Sequence, residues 1–306
     1  MAVQNSLVQK KQPFSVAINS DSYKRLINNT LRDPKRADRF VASIVSAVSV
    51  NPALQECETS SIVSAALLGE TLNLSPSPQL GQFYMVPFND KKRGKVAVFQ
   101  LGYKGYLQLA IRSGYYKTIN VLAIKEGELV RYNPMTEEID VHLIEDEETR
   151  ENTPTIGYYA FFRYTNGFEK ALYWSKSKTI CHADKFSPAF SMNATEGKYP
   201  KVSFADYEAG NYDKKDDWLY SSFWYKNFDD MAMKTMLRQL ISKWGIMSID
   251  LQNAFEKDEA FIHDNGQAEY LDLADDEQPI GIDAATGEVI GEADADPATN
   301  FFDENN

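Results

Sequence analysis

The chain has 306 residues, of which 43% are hydrophobic and 25% charged, and its formal net charge is −12. This composition is typical of a globular protein with one large or two modest domains. The apolar runs fall short of the roughly 20 residues that a membrane span needs, which excludes a membrane-spanning class. No signal-peptide pattern opens the sequence and only Cys57 and Cys181 are present, so we expect a reduced, intracellular protein.

Charge is distributed unevenly along the sequence. Lys and Arg outnumber Asp and Glu by 16 to 9 in residues 1–130, whereas the ratio is 15 to 19 in residues 131–250 and 1 to 16 in residues 251–306. This asymmetry predicts a folded body with a basic face and an acidic tail.

The first part of the chain is predicted to be helical after a mobile arm. Residues 1–19 are polar and lack hydrophobic periodicity, which is typical of an arm without fixed structure. Apolar side chains recur at helical spacing over residues 37–50. A second helix is predicted from a cap at Ser60 or Ser61 to about Leu72.

Strand patterns begin near residue 82. The runs QFYMVPF and KVAVFQLG, joined by residues 89–94, predict a β-hairpin with a basic tip. A helix is predicted over residues 103–113 with Gly114 just after its end, and a strand follows in YKTINVLAI. The turn Asn166-Gly167 joins two further strand runs, TIGYYAFFRY and FEKALYW.

The remaining predicted elements are two helices and a tail. Ser175 is a candidate cap for a short basic helix that carries Lys176, Lys178 and Lys185. Residues 228–244 show an apolar stripe and end before Gly245, which predicts a longer helix. Beyond about residue 258 the chain has few rings and many acids, a composition that favours flexibility.

These elements predict an α+β fold. We expect a small curved antiparallel sheet of hairpins packed by helices, with a flexible N-terminal arm and an acidic C-terminal tail. The expected divisions are an arm with the first helix (1–34), a core (35–250) and the flexible tail (251–306). Residues 261–273 form a candidate partner-docking segment within the tail.

The helix predicted over residues 103–113 has two different faces. Leu107, Ala110, Ile111 and Gly114 share one face, which we expect to be core. Lys104, Gln108 and Arg112 form a cation–amide–cation row on another face, beside Tyr103 and Tyr106. Cations that neutralise phosphates and rings that stack on bases suit single-stranded nucleic acid. The alternative interpretation is an ordinary solvated helix face beside core tyrosines.

Most enzyme signatures are absent from the sequence. It contains neither G-x-x-x-x-G-K-[ST] nor G-x-G-x-x-G, so ATP use is not expected. The three histidines are scattered, and Cys181-His182 has no partner ligands at metal spacing. The acid pairs 216–217 and 229–230 leave open a Mg²⁺-dependent nuclease, although turn and helix N-terminal carboxylates explain them as well. A third possibility is an RNA-binding module or chaperone.

Three blocks of the sequence resemble the RecT/Redβ family of phage single-strand annealing recombinases, most closely the RecT branch. They are SAALLGETLNLSPSPQLGQFYMVPF (64–88), QLGYKGYLQLAIRSG (100–114) and the spaced set Trp224, Phe228, Met231, Lys234 and Arg238. The resemblance runs from about residue 35 to 250. Phe228 stands where relatives can carry Trp, and Met233 and Gln239 stand where relatives can be basic, so these positions add no support for DNA contact.

The resemblance implies ATP-independent annealing of complementary DNA strands in homologous recombination. It implies a non-catalytic protein that coats single-stranded DNA as a ring or helical filament of identical subunits and holds an annealed duplex intermediate. No cofactor is required, with Mg²⁺ as a modulator of annealing, and the expected location is the cytoplasm of a bacterial host cell. The tail is expected to dock a partner exonuclease and the host single-strand-binding protein.

Residue pattern and resemblance together give a set of predicted DNA-binding residues. The resemblance carries this role to Lys104, Arg112, Lys234 and Arg238, which match the family blocks. The full predicted set is Lys91, Lys92, Arg93, Gln100, Tyr103, Lys104, Arg112, Lys117, Lys214, Lys215, Lys226, Lys234 and Arg238.

The acidic tail has three interpretations. It is a solvating segment, a docking segment for a partner, or a competitor whose negative charge occupies the basic groove until DNA displaces it. The last interpretation predicts that deletion of residues 258–306 raises DNA affinity.

Overall fold

The structure is a computed structural model that describes residues 12–90, 92–187, 189–263 and 265–269, together with the backbone pairing of residues 281–282 with 289–290. The helices in these ranges are α1 (Phe14–Ala17), α2 (Asp21–Leu31), α3 (Pro34–Ser49), α4 (Pro52–Glu56), α5 (Thr59–Thr71), α6 (Tyr103–Arg112), α7 (Glu147–Asn152), α8 (Lys176–Phe186), α9 (Phe204–Glu208), α10 (Phe223–Lys226), α11 (Phe228–Trp244) and α12 (Ile249–Lys257). The strands are β1 (Phe83–Asp90), β2 (Gly94–Leu101), β3 (Tyr116–Lys125), β4 (Leu129–Asn133), β5 (Glu138–Val141), β6 (Thr155–Tyr164), β7 (Glu169–Ser175), β8 (Phe261–Ile262), β9 (Ala268–Glu269), β10 (Gly281–Ile282) and β11 (Val289–Ile290).

The sheets are small and antiparallel, which confirms the predicted α+β class. β1 and β2 form a hairpin in register from Phe83 opposite Leu101 to Asp90 opposite Gly94. β3, β6 and β7 form a three-stranded sheet with β6 in the centre, and β4 and β5 form a separate hairpin. Helices pack on these sheets, with α5 against β2 and α11 against all three strands of the central sheet. None of the described helices combines the length and apolar character needed to cross a membrane.

The predicted helices form, and two of them, α3 and α5, begin earlier than expected. α3 begins at Pro34 because the Asp33 carboxylate accepts a hydrogen bond from the Lys35 amide at 2.9 Å. Ser61 does not cap α5 but accepts a hydrogen bond from the Ala97 amide at 2.8 Å, which fixes the helix to β2. The predicted cap at Ser175 is confirmed, since its hydroxyl accepts from the Lys178 amide at 3.2 Å.

The buried face of α6 differs from the predicted one. Its buried positions are Gly105, Tyr106, Leu109 and Ala110. Ile111, expected in the core, is 56% exposed. The cause is a close approach at Gly105, where an added Cβ would lie 2.0 Å from the backbone oxygen of Gln82. Only glycine allows this contact, so the helix turns the side that carries Gly105 inward.

The folded body begins earlier in the sequence than expected. Phe14 and Ile18 are 6% and 0% exposed and belong to the main core. Residues 12–19, predicted to be part of a mobile arm, are therefore packed in the folded body. The predicted arm over residues 1–11 lies outside the described residues.

The folded body also continues past the predicted boundary at residue 250. α12 follows, and then Asp258, Ala260, Phe261 and Ile262 are all buried. The Phe99 amide donates to the Ala260 oxygen at 3.2 Å, so this segment lines the edge of β2. Most of the predicted docking segment 261–273 is thereby placed in the fold, because β8 pairs with β9. Its part after residue 269 lies outside the described residues.

Replacement of Gly105 by alanine tests the close approach of α6. Helix propensity alone favours alanine, but the added methyl group overlaps the Gln82 backbone, so we expect Gly105→Ala to reduce the free energy of unfolding by roughly 1–3 kcal/mol. Chemical denaturation followed by circular dichroism measures the change. Gln108→Ala, at an exposed position of the same helix, is the control and should have almost no effect. A stable Gly105→Ala protein would contradict the packing argument.

Candidate nucleic-acid interface

The polar face of α6 keeps its positive charge available. Lys104 is exposed and has no ion-pair partner among the described residues. Arg112 donates to two backbone oxygens, of Gln108 at 3.2 Å and of Asn73 at 3.4 Å, and these contacts orient the guanidinium without neutralising it. Tyr103 is half-buried next to Lys104, and burial raises the pKa of its hydroxyl. The predicted row therefore exists as a rigid, positively charged helix face.

Tyr106 does not belong to this exposed face. Its side chain is 0% exposed, so its ring has no access to a base. The hydroxyl donates to the carboxylate of Asp258, which also accepts from the Leu101 amide at 2.7 Å. Asp258 lies directly after α12, and the contact fastens the C-terminal segment to α6 and the end of β2.

Arg238 completes this buried junction. Its guanidinium lies 3.6 Å from the Asp258 carboxylate and 3.2 Å from that of Glu259. Burial raises the pKa of Asp258, while the nearby charges of Lys234 and Arg238 act in the opposite direction. α6 also packs on α11, so the structure brings Lys234 and Arg238 close to the predicted row on α6. One of these predicted DNA contacts, Arg238, is already paired with acids of its own chain.

The basic tip of the β1–β2 hairpin also contains a cation that is paired with an acid of the same chain. The Asp90 carboxylate accepts from the amides of Lys92 and Arg93 at 3.0 and 2.7 Å, which shapes the turn. The Arg93 guanidinium lies 2.9 Å from Glu269 and 4.3 Å from the ring centre of Phe261. Lys92 is exposed, whereas the predicted contact at Lys91 lies outside the described residues.

The other predicted contacts lie at several places. Gln100 is half-buried in β2, and Lys117 is exposed at the start of β3. Lys214 and Lys215 are exposed on a 3₁₀ turn, and Lys226 ends α10, immediately before α11. The start of α11 lies about 15 Å along the helix axis from Arg238, given 1.5 Å per residue. Lys226 therefore lies away from the junction around Arg238.

The acids considered for a nuclease have structural contacts. Asp229 lies in the first turn of α11 and accepts from the hydroxyls of Thr155 and Tyr158 at 2.8 and 2.6 Å. Asp217 accepts from the Tyr212 hydroxyl at 3.0 Å. Within the described part of the chain, no group of three or more His, Cys, Asp or Glu side chains is arranged to hold a metal ion.

A sequence model of the RecT family matches residues 38–271. The chain belongs to the RecT family. This confirms the resemblance drawn from the three sequence blocks and supports a function in DNA recombination by strand annealing. The matched range extends beyond residue 250, in agreement with the packing of α12 and Asp258 into the body.

Two relatives show how far the similarity to RecT proteins extends. The uncharacterized protein YqaK of Bacillus subtilis (strain 168) is 40% identical over 226 residues, which is 74% of this chain and 66% of YqaK. About a third of YqaK therefore lies outside the match. Protein RecT of Escherichia coli (strain K12) is 27% identical over 276 residues, which is 89% of this chain and 84% of that protein.

Sequence patterns did not predict the junction of Tyr106, Asp258 and Arg238. Tyr106 lies in the most specific block, but Asp258 lies in a stretch whose acidic composition predicted a flexible tail. The only sequence signal is the short apolar run Ala260 to Ile262 directly after it. Such a run is too short to predict an edge strand without knowledge of the strand that it borders.

The two kinds of cation at this site should differ in their effect on stability. We expect Arg238→Ala to reduce the free energy of unfolding by roughly 2 kcal/mol, because it removes the positive partner of a buried carboxylate. Lys104→Ala should leave it unchanged, since the side chain is exposed. Thermal melts followed by circular dichroism compare them, with Lys243→Ala as the control at an exposed position of α11. Equal melting temperatures for all three variants would show that the Asp258 junction contributes little.

Proposed function

We propose that this protein is an ATP-independent single-stranded DNA-binding and annealing protein that assembles on DNA and promotes the pairing of complementary strands. The observation that carries the proposal is the face of α6 with Lys104 and Arg112. These side chains are exposed and not neutralised by any described acid, and the buried glycine and tyrosine of the same helix hold them in place.

The proposed mechanism separates affinity from specificity. Cations that contact phosphates bind any sequence, and base pairing between the two strands selects the partner. Contacts between neighbouring subunits in a ring or filament would multiply weak binding by each subunit. The protein performs no covalent step in this mechanism, and Mg²⁺ acts by reducing the repulsion between the two strands. Residues after 269 would dock a partner exonuclease or the host single-strand-binding protein.

Annealing is tested directly by stopped-flow mixing of two complementary labelled oligonucleotides without ATP, with and without Mg²⁺. We expect faster pairing in the presence of the protein, with both strands intact on a denaturing gel. Shortened strands would instead establish a nuclease. Binding without acceleration, or a preference for RNA strands of the same sequence, would establish a nucleic-acid-binding protein or RNA chaperone.

The double substitution Lys104→Ala with Arg112→Ala tests the face of α6. Each lost phosphate contact should reduce the salt slope of single-strand binding by about 0.7, so we expect a loss of about 1.4 for the pair. Fluorescence anisotropy over a series of salt concentrations measures the slope. Gln108→Ala, between the two cations, removes no charge and should keep the wild-type slope. An unchanged slope with the double variant would assign the contacts to other residues.

Competition by the acidic tail is tested by deletion from residue 270. A deletion from residue 258 would remove the buried Asp258 and with it the junction, so lost folding would hide any change in binding. Residues 270–306 contain eleven acidic and no basic residues. If the tail competes for the basic groove, its deletion raises affinity for an oligonucleotide at low salt, and the gain disappears at high salt. Equal affinity at low salt would contradict competition.

A further inference from the structure

α8 and α11 lie side by side on one face of the central sheet. The buried side chains of β6 that point to this face include Tyr158 and Phe162. Phe228 of α11 packs on Tyr158, with ring centres 6.3 Å apart. Trp174 of β7 pairs with Tyr158 and therefore points to the same face, where its ring meets His182 of α8 at 5.2 Å.

Unpaired cations converge where the C-terminal half of α8 meets α11. Burial and the charges of Arg238, Lys243 and Lys185 lower the pKa of His182, although Arg238 is itself paired with Asp258 and Glu259. Lys185 and Lys243 are exposed, as is Lys178, about two turns before Lys185 on α8. Within the described residues no carboxylate lies within ion-pair distance of these three lysines. The nearest acid on the helix, Asp184, accepts from the Met192 amide at 2.7 Å.

Aromatic rings alternate with these cations. Phe186 is 64% exposed, and its ring lies 4.5 Å from that of His182 and 5.3 Å from the Lys185 ammonium. The Lys178 ammonium lies 4.8 Å from the Trp174 ring centre. A surface that combines the exposed ring of Phe186 with cations matches the two parts of a nucleotide, its base and its phosphate.

Acids are concentrated on the opposite face of the same sheet. Residues 126–151 contain ten acidic and two basic residues and include the β4–β5 hairpin. This hairpin covers the other face, where Tyr132 meets Tyr173 at 5.0 Å between ring centres. Tyr173 and Trp174 are neighbours in β7 and point to opposite sides. The hairpin side of the sheet is therefore the more acidic of the two.

We propose that the α8–α11 surface, formed by Lys178, His182, Lys185, Phe186 and Lys243, binds the phosphate backbone of a nucleic-acid strand. α11 lies between this surface and the α6 contacts, because it also packs on α6. The surface extends the path of the strand across α11. The inference rests on the proposed function, since a strand on α6 is what would continue onto α8. An acidic protein segment offers carboxylates for the lysines but no bases for the exposed ring.

Charge removal tests the surface in the full-length chain with a short oligothymidylate. Lys178→Gln with Lys185→Gln removes two contacts, and we expect the salt slope to fall by about 1.4 and the affinity to fall about 25-fold at about 0.1 M salt. The matched control is Arg131→Gln with Arg163→Gln, which removes two exposed cations from the acidic side of the sheet. The control should change affinity and slope far less.

His182 supplies a second, local readout, because its pKa responds to charge on the α8–α11 surface itself. Burial and the three cations Arg238, Lys243 and Lys185 lower its pKa, while β7 contributes only the uncharged Trp174. Phosphates on this surface favour the imidazolium, so oligothymidylate should raise the pKa of His182. Nuclear magnetic resonance of the ring C–H protons over a pH series measures it, and His182→Gln identifies the signal among three histidines.

The outcomes separate this inference from the proposed function. One outcome is that the wild-type protein anneals strands, the Lys178/Lys185 variant and its Arg131/Arg163 control bind oligothymidylate alike, and the pKa of His182 is unchanged. The α8–α11 surface is then not a nucleic-acid contact. If a peptide of residues 270–306 raises the pKa of His182 and oligothymidylate does not, the surface binds an acidic protein segment instead. If the wild-type protein neither binds nor anneals DNA, the proposed function and this inference both fall.

Discussion

The fold around the proposed DNA contacts depends on one buried carboxylate. Asp258 is 0% exposed and lies where the end of β2, α6, α11 and the turn after α12 meet. Transfer of an isolated charge to such a place costs several kcal/mol, so the carboxylate is tolerated only with several partners. The Leu101 amide, the Tyr106 hydroxyl and the Arg238 guanidinium supply them. Through these partners the carboxylate fixes the segment after α12 to α6.

The most specific sequence block therefore combines two kinds of residue. Gly105 and Tyr106 have structural roles, since glycine permits the approach to Gln82 and the tyrosine reaches Asp258. Lys104 and Arg112 point away from these contacts and remain available. An exposed lysine contributes more to DNA affinity when its backbone is already fixed, because ordering the backbone on binding costs conformational entropy. The buried half of α6 thus preorganises the exposed half.

The sequence predicted the elements with strong local signals. Residues 228–244 form α11 with the predicted bounds, and the hairpin turn at Gly167 has the positive φ of 90° that its Asn-Gly sequence favours. The inward face of α6 was predicted wrongly because Ile111 continues an apolar pattern as well as Tyr106 does, and only the contact of Gly105 with Gln82 decides between them. Asp258 could not be predicted to be buried, since its partners lie more than 150 positions away in sequence or on a distant helix.

The arrangement of charges explains how a chain with net charge −12 can offer a positive surface. Two of its arginines, Arg93 and Arg238, are paired with acids of the C-terminal segment and add little to the outer field. The free cations lie on α6 and on the helix side of the central sheet, while the acidic hairpin lies across it. Packed layers are about 10 Å apart, so the hairpin lies two spacings, about 20 Å, from the helix layer, which is about twice the screening length of about 10 Å at 0.1 M salt. A phosphate on the helix side is therefore attracted by nearby lysines more strongly than it is repelled by the acids of the hairpin.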